Sequence, residues 1–534
     1  MSAADQNWSA ACSMGIEDRG VESRMRSPTV LIACMFLAVL CPSVVCADEP
    51  RDTLNIKQDD FALARKTLRQ AAEAAVRVKD PIHRVYGLSW IAVSQSKVED
   101  VPGALKTAAK IGDPRKTVLT MADIASAQAK LGRDGESAKT FLHAHKRAAS
   151  LKEKWDQGYA FGKIAEQEAN SHNADAEKTF AEAIQIATTL PKDHEKAGLL
   201  FYIGASQLDS GQVQAAATFR ESSRFLSTVE DDFRKWMTAV QLAPFQIRAG
   251  DDEGALATAS YLTDQGDRHH KSQVLSSVAS AQAQRGNVEA ALKTSSTIED
   301  ETEKENAWRW IVEAQLQQGN VLEAVHLTET FQTNWSAKTL ALISIAIAQE
   351  KAGNAAEAEQ SIGQAMNLFQ KGVSDSQQES WWSQPFVGAL VKAVRLKKAA
   401  EAAVIIKSQL VKPYALSMVA EAYGKAGDRG TAEKLLEQAI ESGMNSNSME
   451  RIAVAYAQIG DVPTALKTAR KIPRESDRSY ALQRIADVQT QQGHARDALK
   501  WAGSLKSPYL KSSALLGVAL GILQKHGIEP GTSV

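Results

Sequence analysis

One phrase recurs along most of the chain, and its period decides what the chain can fold into. It opens with an aliphatic residue and Ala. Gln or Tyr follows three residues after the Ala, Gly four residues further on, then Asp or Asn, then Ala-Leu. The clearest copies occupy 278–292, 452–466 and 485–499. The leading aliphatic falls at Ile91, Ile124, Ile164, Ile203, Leu242, Val278, Ile311, Ile345, Val419, Ile452, Ile485 and Val518, most steps being 33–40 residues. The one step of 74, from Ile345 to Val419, is two periods long. A degenerate copy therefore belongs between Trp381 and Ser408, which brings the array to about 13 units.

Each unit reads as two helices. A large apolar residue stands three positions before nearly every leading aliphatic, as at Leu88, Met121, Leu275, Trp308 and Leu482. With the following Ala, these make one helical face. Gly eight positions after the aliphatic (Gly211, Gly286, Gly353, Gly460) suits a helix C′ residue with positive φ. Asp251, Asn287, Asn320, Asp428 and Asp461 come next and suit the N-cap of a second helix. Ala255, Ala291, Ala432, Ala465 and Ala498 then lie one turn into that helix, where a larger side chain would overpack the hairpin. No strand period is visible. The stretch 60–80 reads as one further amphipathic helix, expected to be a polar-faced N-terminal cap. Pro244 conflicts with the first helix of its unit, because it removes a hydrogen bond.

The register resembles the tetratricopeptide repeat, a 34-residue helix–turn–helix. Trp308 stands at that family's Trp position, with Ile311, Val312 and Gly319 following; Tyr423 and Tyr456 stand at its Tyr position, where most copies have Gln. The Gly of the family's Leu-Gly pair is mostly Ala, and steps of about 39 residues between Ile124 and Leu242 exceed the family period. The resemblance covers roughly 60–526 and implies an all-α solenoid, a superhelix of about 13 TPR-like hairpins. In such arrays the first helix of each hairpin lines the concave face. Counting from the leading aliphatic, Tyr86, Tyr159, Tyr414 and Tyr480 stand five before it, Phe201 and Arg309 two before it, and Glu313, Glu421 and Asp487 two after it. Tyr and Arg are frequent interface anchors, so these nine are the candidate partner-binding residues. The competing reading is that the tyrosines pack between neighbouring repeats.

The ends and one break complete the plan. Within 1–47, Arg24 and Arg26 precede an unbroken apolar run of 12 residues from Val30 to Cys41, and Val45-Cys46-Ala47 precedes Asp48. That is the layout of a secretory signal with cleavage after Ala47 and a start possibly at Met25; the run is too short to span a bilayer. Residues 48–58 read as a loose segment, 59–371 and 386–526 as two solenoid blocks, 372–385 as a possible linker, and 527–534 as a tail. All four cysteines precede residue 47, so the body holds neither a disulfide framework nor a Cys-ligated metal. Without 1–47 the chain carries 59 Lys and Arg against 59 Asp and Glu, which offers no bulk attraction to phosphate backbones. The ten histidines form no ligand set, and no HExxH, P-loop, dinucleotide fingerprint or nucleophile elbow occurs. The expectation is an exported, periplasmic or secreted protein without cofactor, metal or enzymatic activity. It would bind a peptide segment or protein in its groove and no nucleic acid, and would keep no stable transmembrane segment after cleavage, a lipoprotein or membrane-anchored form being the less favoured alternative. A structural subunit of an envelope assembly and an all-α enzyme acting on polysaccharide are the alternatives.

Overall fold

The computed structural model describes residues 58–262, 268–332, 335–375, 379–443 and 446–528. The export segment 1–47, the segment 48–57 and the end of the tail lie outside them, as do the side chains of Trp381 and Trp382. Among the described residues there are 26 helices and no strand. They alternate as the repeat requires. The first helices of the hairpins are α2 (Pro81–Lys97), α4 (Pro114–Lys130), α6 (Lys154–Asn170), α8 (Asp193–Asp209), α10 (Asp232–Arg248), α12 (Arg268–Gln284), α14 (Glu301–Gln317), α16 (Trp335–Lys351), α18 (Glu379–Lys392), α20 (Lys412–Lys425), α22 (Ser446–Gln458), α24 (Glu475–Gln491) and α26 (Pro508–Lys525). Between them lie the second helices. Those used below are α3 (Val101–Ala108), α5 (Asp134–Ala149), α9 (Ala215–Ser227), α11 (Asp252–Ser260), α15 (Val321–Glu329), α17 (Ala355–Asp375), α19 (Leu396–Ile405) and α21 (Arg429–Glu441). One helix, α1 (Gln58–Ala75), precedes them all.

The local rules hold with few exceptions. Every leading aliphatic is at most 1% exposed. Side chains of Asp251, Asp428 and Asp461 accept from Gly254 N, Thr431 N and Thr464 N at 3.0–3.2 Å, capping the second helices. Asn320 does not cap α15; its amide donates to Gln315 Oε1 at 2.7 Å. The expected glycines have φ of 72–93°. Three repeats lack that glycine, and there Glu99, His172 and Val394 take the left-handed conformation at φ 62°, 56° and 58°. They are the only non-glycine residues at positive φ among the described residues. Val394 thereby locates the degenerate copy: it is α18 and α19, led by Phe386, which is 1% exposed. Helix α10 runs through Pro244. The expected linker is helical at 372–375 and 379–385, and one core joins Phe369 and Val373 to Phe386 and Val387 across it.

The N-terminal helix is present, but it does not cap an open end. It buries Phe61, Ala64, Thr67, Leu68, Ala71 and Ala75. That is the register of α5, which buries Thr140, Phe141, Ala144 and Ala148, and of α21, which buries Ala432, Leu435, Leu436 and Ala439. Helix α26 is a first helix with no partner following it in sequence, and α1 takes that partner's place. One core contains Phe61, Leu68 and Ala71 of α1 together with Leu515, Val518 and Ile522 of α26. Asp60 Oδ2 pairs with His526 Nε2 at 3.0 Å and Lys525 Nζ at 3.4 Å. On the far side, Arg69 reaches Asp100 at the N-cap of α3 through two bonds of 2.8 and 3.0 Å. Arg220 of α9 makes the same two-bond contact with Asp251 at the N-cap of α11. The chain is thus a closed ring of thirteen hairpins, the last assembled from its two ends. The contacts of Asp60 with His526 and Lys525 hold the joint between the first and last helices.

The first helices form the inner layer. Helices α24 and α26 meet backbone to backbone: a side chain at Gly517 would enter the backbone of Gln483, and a Cβ at Gly521 would lie 2.7 Å from Asp487 O. Successive second helices are bridged by longer side chains, as Arg69 and Arg220 show, which suits the wider circumference outside.

Candidate functional site

Positions five before, one before and two after the leading aliphatic are separated by four and three residues, so they form one stripe of a helix. On the inner helices most described residues of that stripe are half-buried. It brings Tyr414 and Glu421 of α20 together with Arg451 of α22 and Tyr480, Arg484 and Asp487 of α24. Arg451 donates to Tyr414 Oη at 3.1 Å, and its guanidinium lies 4.7 Å from that ring's centre. Glu421, 7% exposed, has Arg451 at 3.6 Å, Arg484 at 3.8 Å and Lys425 at 3.0 Å. Arg484 also donates to Glu450 Oε1 at 3.2 Å.

Electrostatics follow from this crowding. Burial works against the charge of Glu421, but Arg451, Lys425 and Arg484 outweigh it and hold its pKa below the ordinary value. Burial raises Glu450 despite Arg484. Asp487 is raised to about 6 by burial, against a hydrogen bond from Gln491 at 2.8 Å. Arg484 is raised, since Glu421 and Glu450 overcome its burial.

A second group spans α2, α4, α6 and α8. Tyr159 stacks on Trp155 at 5.3 Å and meets Tyr202 edge-on at 5.7 Å. Lys163 pairs with Glu166 at 2.8 Å, and Arg115 with Asp156 at 2.8 Å. Burial raises Asp123 to about 7 and lowers Lys116 to about 8. Tyr86, 37% exposed, has Lys116 Nζ 5.1 Å from its ring centre.

The remaining candidates divide. Arg309 stacks on Trp310 at 4.1 Å and is lowered to about 10 by burial, with Glu313 opposing. Glu313 accepts from Ser344 Oγ at 2.5 Å. These two stand apart from both groups. Phe201 is not on the wall: it is 4% exposed, with Phe245 at 5.3 Å and Phe219 at 6.4 Å. Its position, two before the aliphatic, turns towards the next hairpin, as Gly162 does towards Ile203. The sequence reading missed Arg451, Arg484, Asp123 and Lys163, all one residue before the aliphatic. A charge beside the most buried residue of each helix was the available signal. Among the described residues no cluster of His, Cys, Asp and Glu could hold a metal ion. His145 instead pairs with buried Glu168 at 2.8 Å, and His270 stacks on Trp236 at 4.2 Å. No helix among the described residues is long and apolar enough to cross a membrane.

Fold and site together define a TPR-like helical-repeat protein closed into a ring. No family model matches the chain, and no curated protein matches it. Among solved structures, it is similar to Ton1535 of Thermococcus onnurineus NA1 at 13% identity, covering 86% of this chain and 98% of that one, with a TM-score of 0.25. It is similar to human IFIT1, solved as a dimer with m7Gppp-AAAA, at 14% identity over 82% and 98% of the two chains, TM-score 0.30. The maize pentatricopeptide repeat protein PPR10 gives 14% identity over 78% and 68%, TM-score 0.24.

Proposed function

We propose that this protein is an exported, non-enzymatic scaffold that binds a peptide segment or protein on the inner wall of its ring. One observation carries the reading: Tyr414, Glu421, Tyr480 and Asp487, on two helices of the inner layer, gather around Arg451 and Arg484. Tyr and Arg supply the large, orientable contacts that dominate protein recognition. Interspersed carboxylates make the wall a poor electrostatic match for a phosphate backbone, which favours protein over nucleic acid. Export rests on the tripartite layout of residues 24–47 and is tested by N-terminal sequencing of the mature protein, with Asp48 expected first.

Binding is tested by cross-linked capture from envelope and secreted extract, with Tyr414→Ala/Tyr480→Ala as the control. A partner retained by the wild type and lost by the double variant is expected. Equal retention by both would remove the wall from the binding site.

A further inference from the structure

Ring closure does more than bury the ends of the array. It joins the two inner-wall groups, which lie at opposite ends of the sequence. Going round the ring, Tyr414 and Arg451 lead to Tyr480 on α24. Tyr509 on α26 follows, and its ring lies 4.5 Å from His83 on α2, across the seam. Tyr86 of α2 and Lys116 of α4 come next, then Tyr159 of α6. In α12 and α14 the position that holds tyrosine elsewhere is Gln273 and Asn306, both 7% exposed.

We propose that the ring binds one extended polypeptide across its own seam, so that ligand binding and ring closure support each other. This rests on the peptide-binding reading above and adds where the peptide lies and what it controls. The belt crosses seven inner helices from α20 to α6. At about 9 Å between helix axes and about 3.3 Å per extended residue, it accommodates roughly 16 residues. Its charges are largely spent on one another: Arg451 and Arg484 pair with Glu421, and Arg484 also with Glu450. A wall neutralised in this way offers little to a uniformly anionic polymer, whereas the exposed rings of Tyr86 and Tyr480 suit contact with a polypeptide. A ligand touching both Tyr480 and Tyr86 meets its full contact set only while α1 is docked on α26. It therefore binds the closed state more tightly and shifts the ring towards it.

The probe is a 16-residue peptide selected from a random phage-displayed library on the full chain and then synthesised. Its affinity is measured against wild type, Tyr480→Ala, Tyr86→Ala and Leu68→Ala, the last of which loosens α1 far from the belt. Asp60→Ala serves as a milder opening variant. Amide exchange of α1 is followed with and without peptide. The expected result is a loss of tenfold or more for both tyrosine variants and for Leu68→Ala, with slower α1 exchange when peptide is bound. Linkage requires the slowing in α1 to match the affinity lost on opening. A peptide weakened by Tyr480→Ala but indifferent to Tyr86→Ala and Leu68→Ala would overturn the seam and leave the binding function standing. Selection of no peptide, or binding of chitohexaose or a dT20 oligonucleotide instead, would overturn both.

Discussion

Replacing Leu68 with Ala separates ring closure from the stability of the rest of the array. Leu68 is wholly buried in the core shared by α1 and α26. Loss of a buried Leu side chain to Ala costs about 2–5 kcal/mol, depending on how far the site collapses. In every internal hairpin the second helix is tied to the chain at both ends, so its release disturbs two neighbours. Helix α1 is joined covalently to the array only through residues 76–80. Its undocking exposes the apolar face of α26 but leaves twelve hairpins intact. The cost should therefore fall on a local opening equilibrium. At tenfold per ~1.4 kcal/mol, exchange of α1 amides should rise by about 30-fold to a few thousand-fold, with little change in helices α10 to α16. Hydrogen-exchange mass spectrometry reads this directly. Leu436→Ala is the control, since Leu436 holds the equivalent place in α21 and is equally buried. It should destabilise its own neighbourhood and leave α1 protected. Unchanged α1 exchange in Leu68→Ala, or equal acceleration in every helix, would refute the idea that closure is a separable docking step.

Three further outcomes are expected. Val394→Gly should stabilise the protein by about 1 kcal/mol, because a β-branched residue in the left-handed region is strained and Val394 is 78% exposed, with little packing to lose; an unchanged or lower thermal midpoint would count against this. Ala465→Trp should destabilise its hairpin by at least about 3 kcal/mol, since Ala465 is fully buried where the paired helices approach, and circular dichroism melts check it. Asp487 has a folded pKa of about 6 against an ordinary 3.8, so the folded state holds its proton more tightly than the unfolded chain. Stability from this group falls as pH rises from about 4 to about 6, and the full cost is present above that range. Asp487→Asn should therefore gain about 1 kcal/mol at pH 7.5, after allowance for solvent screening, and nothing at pH 3.5; equal gains at both would disprove the assignment.

Much of the candidate site was readable before any coordinates. Tyr414, Glu421, Tyr480 and Asp487 follow from counting along a helix, because a regular period keeps one face inward. Phe201 shows where the counting failed. One position can face the opening or the next hairpin, depending on side-chain size and the twist between units, and neither is encoded within a single repeat. Arg451 and Arg484 became visible only when three successive helices stood side by side around Glu421.

The sequence by itself determined what is local: the hairpin period, the Asp and Asn caps, the glycines at positive φ and the small residues between paired helices. Each depends on residues within one turn or one hairpin, where steric and hydrogen-bonding rules act directly. Even α1 carried its register openly, since Ala64, Thr67, Leu68 and Arg69 repeat the spacing of Ala215, Thr218, Phe219 and Arg220. Closure was decided only by the tertiary structure. Whether thirteen small rotations between hairpins add up to a ring or a superhelix is a sum over the whole chain. An error of a few degrees per repeat would carry α26 past α1. Only that sum places Asp60 against His526 and joins the two halves of the inner wall.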